Sequence, residues 1–445
     1  MTTLSSRFLS RAAALGLMLA CILTLVRAGT VPPMDDTYIH LVYGRSLLAG
    51  QPGEYNPGVP SAGFTSPLWL APSAMAALGG SWAGPMALMA ISALAASLAV
   101  LLAGPGISSV LLLFGPFIFH ATSGMETAMA CLAVVLAWRL VDSRRPPDAV
   151  SGALLAAATL TRPELALLAI PLALAAGRPR ISGLAALLAP SAIVGSAWIA
   201  WNLHAIGLPL PSTFYAKQVG SFTGRLGAGL PGLGWNLLLS VPLLLPAGAI
   251  GTVMLFRKRL PLALIPVLLG LAALLLQPNS YFQMRYHVPW LVALALAAGT
   301  FLQRRKWLPA LVALMLVPGA MLFSSRRIRA SRDVEAIDVQ PALYLRETAA
   351  PGDVAACADV GAVRWLTDLR ILDLDGLITP ETVPVGRGAV RWSWLAPRTD
   401  YVVVFPRQYR GLLEDAGDEL RHVAGFRSPD PVICGEDSVA VYEAI

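Results

Sequence analysis

Residues 8–37 read FLSRAAALGLMLACILTLVRAGTVPPMDDT, an apolar run that ends a few positions short of two adjacent carboxylates, Asp35 and Asp36. A helix of about 20 apolar residues crosses a hydrocarbon core of roughly 30 Å, so the acids stand at a membrane surface. Ionised groups beside lipid are expensive and mark function when they occur. Polar, aromatic and turn residues crowd around them, as Met34-Asp35-Asp36-Thr37-Tyr38-Ile39-His40, Tyr43-Gly44-Arg45, Glu54-Tyr55-Asn56-Pro57-Gly58 and Gly63-Phe64-Thr65-Ser66-Pro67-Leu68-Trp69. By itself this stretch fits a site and a capped turn equally.

The rest of the chain extends the membrane reading. Of 445 residues 56% are hydrophobic and only 13% charged, with a mean hydropathy of +0.65, which is the composition of a polytopic membrane protein. A net charge of +7 would point to nucleic acid in a soluble chain. Here Lys and Arg fall in short gaps between apolar runs, where they set topology, and no nucleic-acid partner is expected. Arg7 and Arg11 resemble the basic start of a signal peptide, but Val26-Arg27-Ala28 is a poor cleavage site, so the first run reads as an uncleaved anchor. None of the four cysteines shows metal-ligand spacing; Cys357 and Cys434 either pair in an oxidising compartment or stand as lone thiols.

Five basic clusters serve as cytoplasmic anchors: Arg7/Arg11, Arg144-Arg145, Arg178/Arg180, Arg257-Lys258-Arg259 and Arg304-Arg305-Lys306. An even number of crossings must separate consecutive clusters. Five apolar stretches lie between the first two, at residues 8–28, 67–78, 85–102, 107–121 and 125–141. The shortest, 67–78, is therefore assigned to the outer interface, inside a first external loop of residues 29–84. Between Arg145 and Arg178 the apolar run is split at Thr161-Arg162-Pro163-Glu164. Each half, about 12 residues, reaches only about 18 Å, so the break should line a cavity below the outer surface. A single proline-kinked span is the alternative. Later crossings at 181–206, 234–256, 260–276, 288–302 and 307–323 give about eleven, with the N-terminus inside and the C-terminus outside.

From residue 324 short β-branched runs at 353–357, 370–374, 401–405 and 438–442 alternate with amphipathic stretches at 336–348 and 410–419. The expected organisation is a helical membrane domain, 1–323, followed by a small extracytoplasmic α/β domain, 324–445.

Topology collects Asp35, Asp36, His40, Arg45, Glu54, Glu126, Arg162, Glu164, His204, Lys217, Arg285 and His287 on the external face. Acids and bases on one face suit a substrate with a hydroxyl to activate and an anion to hold. Asp35-Asp36-Thr37, two acids and then any residue, resembles the acidic signature of the integral-membrane GT-C glycosyltransferases, which use polyprenyl-phosphate sugars. Ser123-Gly124-Met125-Glu126-Thr127, Leu160-Thr161-Arg162-Pro163-Glu164, Pro211-Ser212-Thr213-Phe214-Tyr215-Ala216-Lys217 and Arg285-Tyr286-His287-Val288-Pro289 resemble bacterial members, as do Asp359-Val360-Gly361-Ala362 and Leu374-Asp375-Gly376-Leu377. The ordered set is similar to the mycobacterial terminal arabinofuranosyltransferase family.

That resemblance implies a bacterial inner-membrane enzyme that moves a sugar with inversion from a polyprenyl-phosphate donor to an extracytoplasmic glycan, lipid or protein acceptor, with membrane lipid as its surroundings. One carboxylate of Asp35 and Asp36 would deprotonate the acceptor hydroxyl. A divalent cation, where one takes part, would be held by the same pair. The phosphate leaving group needs positive charge rather than a general acid, so Arg285, helped by Lys217 and Arg162, is the expected phosphate partner, since guanidinium matches phosphate oxygens in pairs. Tyr38, His40, Arg45, Glu126, Glu164 and His287 are expected around the substrate. Competing roles stay open: Arg162 with Glu164 as a private ion pair, Glu126 as a helix N-terminal acid, Arg285 as a snorkelling side chain, and Asp35 and Asp36 unranked. A lipid-linked sugar flippase or transporter is the alternative function.

Overall fold

The computed structural model describes residues 2–177, 179–217, 222–277, 279, 281–305, 307–382 and 389–445. Arg178 and Lys306, two of the topology charges, lie outside the described residues, as does the side chain of Lys217. The chain is mostly helical with a small C-terminal sheet. Among the described residues three helices are long and apolar enough to cross a membrane: Gly80–Ala103, Ile181–Ile206 and a continuous Leu308–Thr348. A fourth span results if Leu226–Ser240 and Leu244–Lys258, bent by 93° at their junction, count as one. Ala149–Thr161, Pro163–Leu174, Leu260–Leu276 and Val288–Leu302 are apolar but shorter.

Two compact units share the chain. The first holds Met1–Arg27, Met89–Ala197 and Gly220–Arg326. Its core is the helix Val288–Leu302, buried nearly all round, as expected for a segment without a polar face. Leu244–Lys258 packs on it through glycine. A Cβ on Gly251 would stand 2.0 Å from the Ala297 carbonyl oxygen, and one on Gly248 would stand 2.3 Å from Leu294 Cγ. Such close helix approach is how apolar bundles gain dispersion contact.

The break expected at residues 161–164 is present. Asp148 and Ser151 form a reciprocal capping box at the start of Ala149–Thr161. That helix ends where Pro163 forces Arg162 into extended backbone (φ −153°, ψ 125°), and a 3-10 turn, Pro163–Leu168, leads into Ala169–Leu174. The stretch 107–121, expected as one crossing, is instead two short helices, Pro105–Leu112 and Gly115–Ala121. Pro116 has no N–H to continue a helix and sits in the first turn of the second one.

The second unit holds Ala28–Leu88, Trp198–Val219 and Arg327–Ile445. Strands β1 (Glu54–Asn56) and β2 (Val59–Pro60) form a small antiparallel hairpin around Pro57-Gly58. The C-terminal sheet contains β3 (Val354–Cys357), β4 (Arg370–Asp373), β5 (Tyr401–Val404), β6 (Leu420–Arg427) and β7 (Ser438–Ala444), in the order β4-β3-β5-β7-β6. β3 runs parallel to β4 and β5, while β7 is antiparallel to β5 and β6. Four strands lie where the β-branched runs place them. β6 was not legible, because edge position leaves its side chains mostly half-buried or exposed.

The loop assigned from sequence to the membrane domain packs instead with residues 327–445. Its anchors are specific. Asn56 closes the open edge of β4 as a surrogate strand, Nδ2 donating to Ile371 O at 2.8 Å and Oδ1 accepting Ile371 N–H at 2.9 Å. Tyr55 Oη donates to Val360 O, and Arg364 Nε donates back to Tyr55 O. Cys357 and Cys434 are both free thiols.

Replacing Gly251 with Val should destabilise the helical unit by about 1–3 kcal/mol or more, because the added carbons meet backbone that cannot move aside. Gly195→Ala, at a position with open space around it, should stay within about 0.5 kcal/mol. Thermal unfolding of the detergent-solubilised variants, followed by fluorescence, measures the difference; equal midpoints would refute the packing account.

Candidate functional site

In the helical unit four charged residues converge. Glu126 immediately precedes the helix Thr127–Asp142. Its turn is held by Ser92 Oγ, which donates to His120 O and Met125 O, and by Ser123 Oγ, which donates to His120 O at 3.0 Å. Arg285 Nη2 donates to both Glu126 oxygens, at 3.0 and 2.9 Å. Arg162 Nη1 reaches the same carboxylate at 3.5 Å and its Nε donates to Glu164 Oε1 at 2.6 Å. Both guanidiniums lie near the Tyr286 ring, 4.8 and 5.8 Å from its centroid. Glu126 is 1% exposed and both arginines are 4% exposed.

The sequence anticipated each member but not the connection. Two guanidiniums answer two carboxylates in a network that is formally neutral and nearly dry. Arg285 is therefore no snorkelling side chain. The backbone that presents it is unusual: Phe282, Gln283 and Met284 all have positive φ (52°, 54° and 64°). Left-handed backbone costs about 1–2 kcal/mol per non-glycine residue. His120 Nε2 meets Gln283 O at 3.1 Å and Arg326 Nη1 donates to Gln283 Oε1 at 3.3 Å, pinning the run. His287 follows, fully buried, with neither ring nitrogen hydrogen-bonded among the described residues. The position of Lys217's side chain falls outside the described residues.

In the second unit the two adjacent acids differ. Asp35 Oδ2 accepts Gly361 N–H at 2.6 Å and Oδ1 accepts Ala362 N–H at 2.7 Å. These are the first amides of the helix Gly361–Leu366, which lack acceptors of their own. A Cβ at Gly361 would lie 2.3 Å from Asp35 O, so only glycine fits the clamp. Asp36 begins the helix Asp36–Leu48 and is half-exposed. The two acids thus hold different places, one clamped to the helix Gly361–Leu366 and one at the head of its own helix.

Three expected substrate contacts are placed elsewhere. Tyr38 and His40 are 2% and 5% exposed, on a helix whose residues 37–44 are all buried. Burial of the phenol and the Asp35 charge push the Tyr38 hydroxyl well above its ordinary range. Arg45 Nη2 donates to Arg364 O and its guanidinium stacks 5.1 Å from the Trp365 ring. Arg45 is thus engaged by Arg364 and Trp365, and Tyr38 and His40 are buried, which periodicity alone does not reveal.

Other acids, not singled out before, cluster here. Asp338 is hydrogen-bonded to Asp359, and Cys434 Sγ lies 3.9 Å from Asp338 Oδ2. Burial first, then the charges of Asp359, Asp35 and Asp333, hold the Asp338 carboxyl well above the usual range. Burial likewise pushes Asp35 up to about 6, against the pull of the Ala362 and Gly361 amides. It takes Asp373 up to about 7, although that carboxylate accepts the amides of Ile378 and Asp375. Tyr409 Oη donates to Asp375 Oδ1 at 2.5 Å. Asp359 and Asp375 follow the carboxyl ends of the parallel strands β3 and β4, the end of an α/β sheet where ligands bind. The quoted motifs around them were the available signal. Asp338 gave none, lying within a helical run.

Among the described residues no group of three or more His, Cys, Asp or Glu is arranged to hold a metal. Both Asp35 oxygens accept backbone amides. A family model described as a domain of unknown function (DUF8728) matches residues 326–442, which include the sheet and Asp338, Asp359, Asp373 and Asp375. No curated protein matches the chain.

Removing the shared carboxylate by Glu126→Gln should cost about 3–5 kcal/mol, since two buried guanidiniums then lose the carboxylate that they share. Adding Arg285→Met should recover part of that loss, and thermal unfolding of the single and double variants tests the coupling; independent, additive effects would contradict the network. Separately, the folded unit holds protons on Asp35, Asp338 and Asp373 that an unfolded chain releases near pH 4. Folded pKa values above unfolded ones mean that this stabilisation is complete below about pH 4 and fades as pH rises through about 6 to 7. The unfolding midpoint should accordingly be higher at pH 5 than at pH 7.5, and a midpoint rising across that interval would reverse the assignment.

Proposed function

We propose that this chain is a GT-C-like inverting glycosyltransferase that takes a sugar from a polyprenyl-phosphate donor on the non-cytoplasmic side of the membrane. In this reading the three long helices and the shorter apolar ones together provide about eleven crossings. The broken pair Ala149–Thr161 and Pro163–Leu174 brings Arg162 below the surface, and the sheet unit is extracytoplasmic.

The observation that carries the reading is the unequal state of the acidic pair. Asp35 gives both its oxygens to backbone amides, whereas Asp36, partly exposed like Asp35, stands outside that clamp at the head of its helix. Asp36 then takes the proton from the acceptor hydroxyl as that oxygen attacks the anomeric carbon. The bond to the donor phosphate breaks, and the proton stays on the Asp36 carboxylate until solvent removes it. Asp35 holds the turn from which Asp36 works. Within the helical unit, Arg285 and Arg162 form a guanidinium pair of the kind that holds a phosphate, and Glu126 keeps them oriented.

Support comes from cost. Two arginines buried against one carboxylate, presented by three consecutive left-handed residues, are a poor investment for stability, since apolar residues of similar size would serve as well or better. No step is assigned to a metal.

Asp36→Asn should lower sugar transfer by about 10²–10⁴-fold, measured with a radiolabelled polyprenyl-phosphate sugar and membranes containing full-length protein. Asp36→Glu should retain part of the activity, and Asp35→Asn should reduce stability along with turnover. Asp36→Asn protein that is folded, inserted and as active as the parent would end this proposal.

A further inference from the structure

One of the basic clusters used as topology anchors, Arg257-Lys258-Arg259, contributes Lys258 and Arg259 to the lining of a cavity in the helical unit. The cavity has a volume of about 520 Å³, within the range of small-molecule sites, and lies at the far end of Thr127–Asp142 from Glu126. Along that helix the two places are about 22 Å apart. Its floor and its rim differ in chemistry. Ile107, Leu262 and Leu296, at most 5% exposed, and the 9% exposed Trp138 make the inner wall apolar. The mouth carries Arg139, Lys258, Arg259 and Gln303, with Asp142 as the one carboxylate.

The three cations are not equivalent. Arg259 is tied to Asp142, Nη1 donating to Oδ1 at 2.9 Å and Nη2 to the Asp142 carbonyl at 2.5 Å. Arg139 Nη1 donates to Leu102 O at 2.9 Å, satisfying a carbonyl in the last turn of Gly80–Ala103. It has no carboxylate partner, and Lys258, exposed at the rim, has none either among the described residues. Helix-end capping explains the two arginines in part. It explains neither the lysine nor a cavity that grades from cationic mouth to apolar floor.

We propose that this cavity binds the phosphate headgroup of an anionic phospholipid of the adjacent leaflet. Lys258 and Arg139 contact phosphate oxygens, and the first acyl methylenes rest against Ile107, Leu262 and Leu296. Basic pockets between helices at the positively flanked side of a membrane take anionic headgroups for the same reasons: charge attraction at low dielectric and burial of the chain. The site is independent of the glycosyltransferase reading. It requires only that the end where the basic clusters collect faces a lipid leaflet.

Full-length protein in detergent, titrated with short-chain phosphatidylglycerol, phosphatidylcholine or inorganic phosphate and examined by native mass spectrometry, tests it. Phosphatidylglycerol should bind at least about tenfold more tightly than phosphatidylcholine. Lys258→Glu, a change at an exposed residue that leaves the fold intact, should weaken phosphatidylglycerol binding by about tenfold, equivalent to roughly 1.4 kcal/mol. Arg304→Gln with Arg305→Gln removes the same net charge from the same end without altering the lining and should change binding less than about twofold. Equal losses in the two variants would reduce the effect to general surface charge and overturn the proposal. Phosphatidylcholine binding as well as phosphatidylglycerol, or inorganic phosphate competing at concentrations comparable to the lipid, would overturn it too, the latter by pointing to a soluble anion.

Discussion

A single carboxylate, Asp35, organises the sheet-containing unit. By accepting the amides of Gly361 and Ala362 it joins residues 326 positions apart. A helix N-terminus offers amides without partners and the positive end of a dipole; a carboxylate satisfies both at once. The other contacts follow from that junction. Once the helix Gly361–Leu366 is fixed, Arg364 can reach Tyr55 O, Arg45 can reach Arg364 O, and Trp365 Nε1 can donate to Ser81 O. Asn56 meanwhile seals the edge strand β4. The segment 28–88 is thus less a connector than a missing portion of the C-terminal domain, contributed from early in the chain. Gly361 has no substitute there, because any side chain would occupy the space of Asp35 itself.

Local constraints were legible in the sequence and long-range partnerships were not. Pro163 broke its helix where its missing N–H requires, and four strands lay under their β-branched runs, because each depends on a few neighbouring residues. β6 escaped notice because an edge strand keeps exposed polar positions, and Arg421-His422 does not alternate as a buried strand does. The break at Pro116 was hidden by continuous hydrophobicity on both sides. Site residues divided similarly. Arg162, Glu126 and Arg285 stood out as charges beside apolar runs, but their meeting on one carboxylate depends on three distant segments. Arg45, Tyr38 and His40 stood out equally; Arg45 lies on Trp365, and Tyr38 and His40 are buried. An amphiphilic side chain near a motif has the same sequence appearance whether it faces a ligand or a tryptophan.

The helical unit concentrates its unfavourable terms in one place. Buried guanidiniums lose hydration that pairing only partly returns, and Phe282–Met284 add backbone strain in the residues just before Arg285. His120, Arg326 and the turn at Ser123 hold this arrangement by hydrogen bonds rather than by shape alone. Strain that the surroundings over-determine is characteristic of sites whose geometry has a use. The ring of His287 beside the guanidiniums is fully buried, with neither nitrogen hydrogen-bonded among the described residues.

Adjacent acids usually raise the question of which one ionises first. Here geometry separates them before electrostatics does. Asp35 sits one residue ahead of its helix, with its carbonyl already accepting Tyr38 N–H at 2.8 Å and its side chain turned to the Gly361 amides. Asp36 is the first helical residue. Moving the Asp35 carboxylate would release the head of another helix. Its neighbour is under no such constraint from that clamp, yet inherits the rigidity, because one peptide bond fixes the position of both.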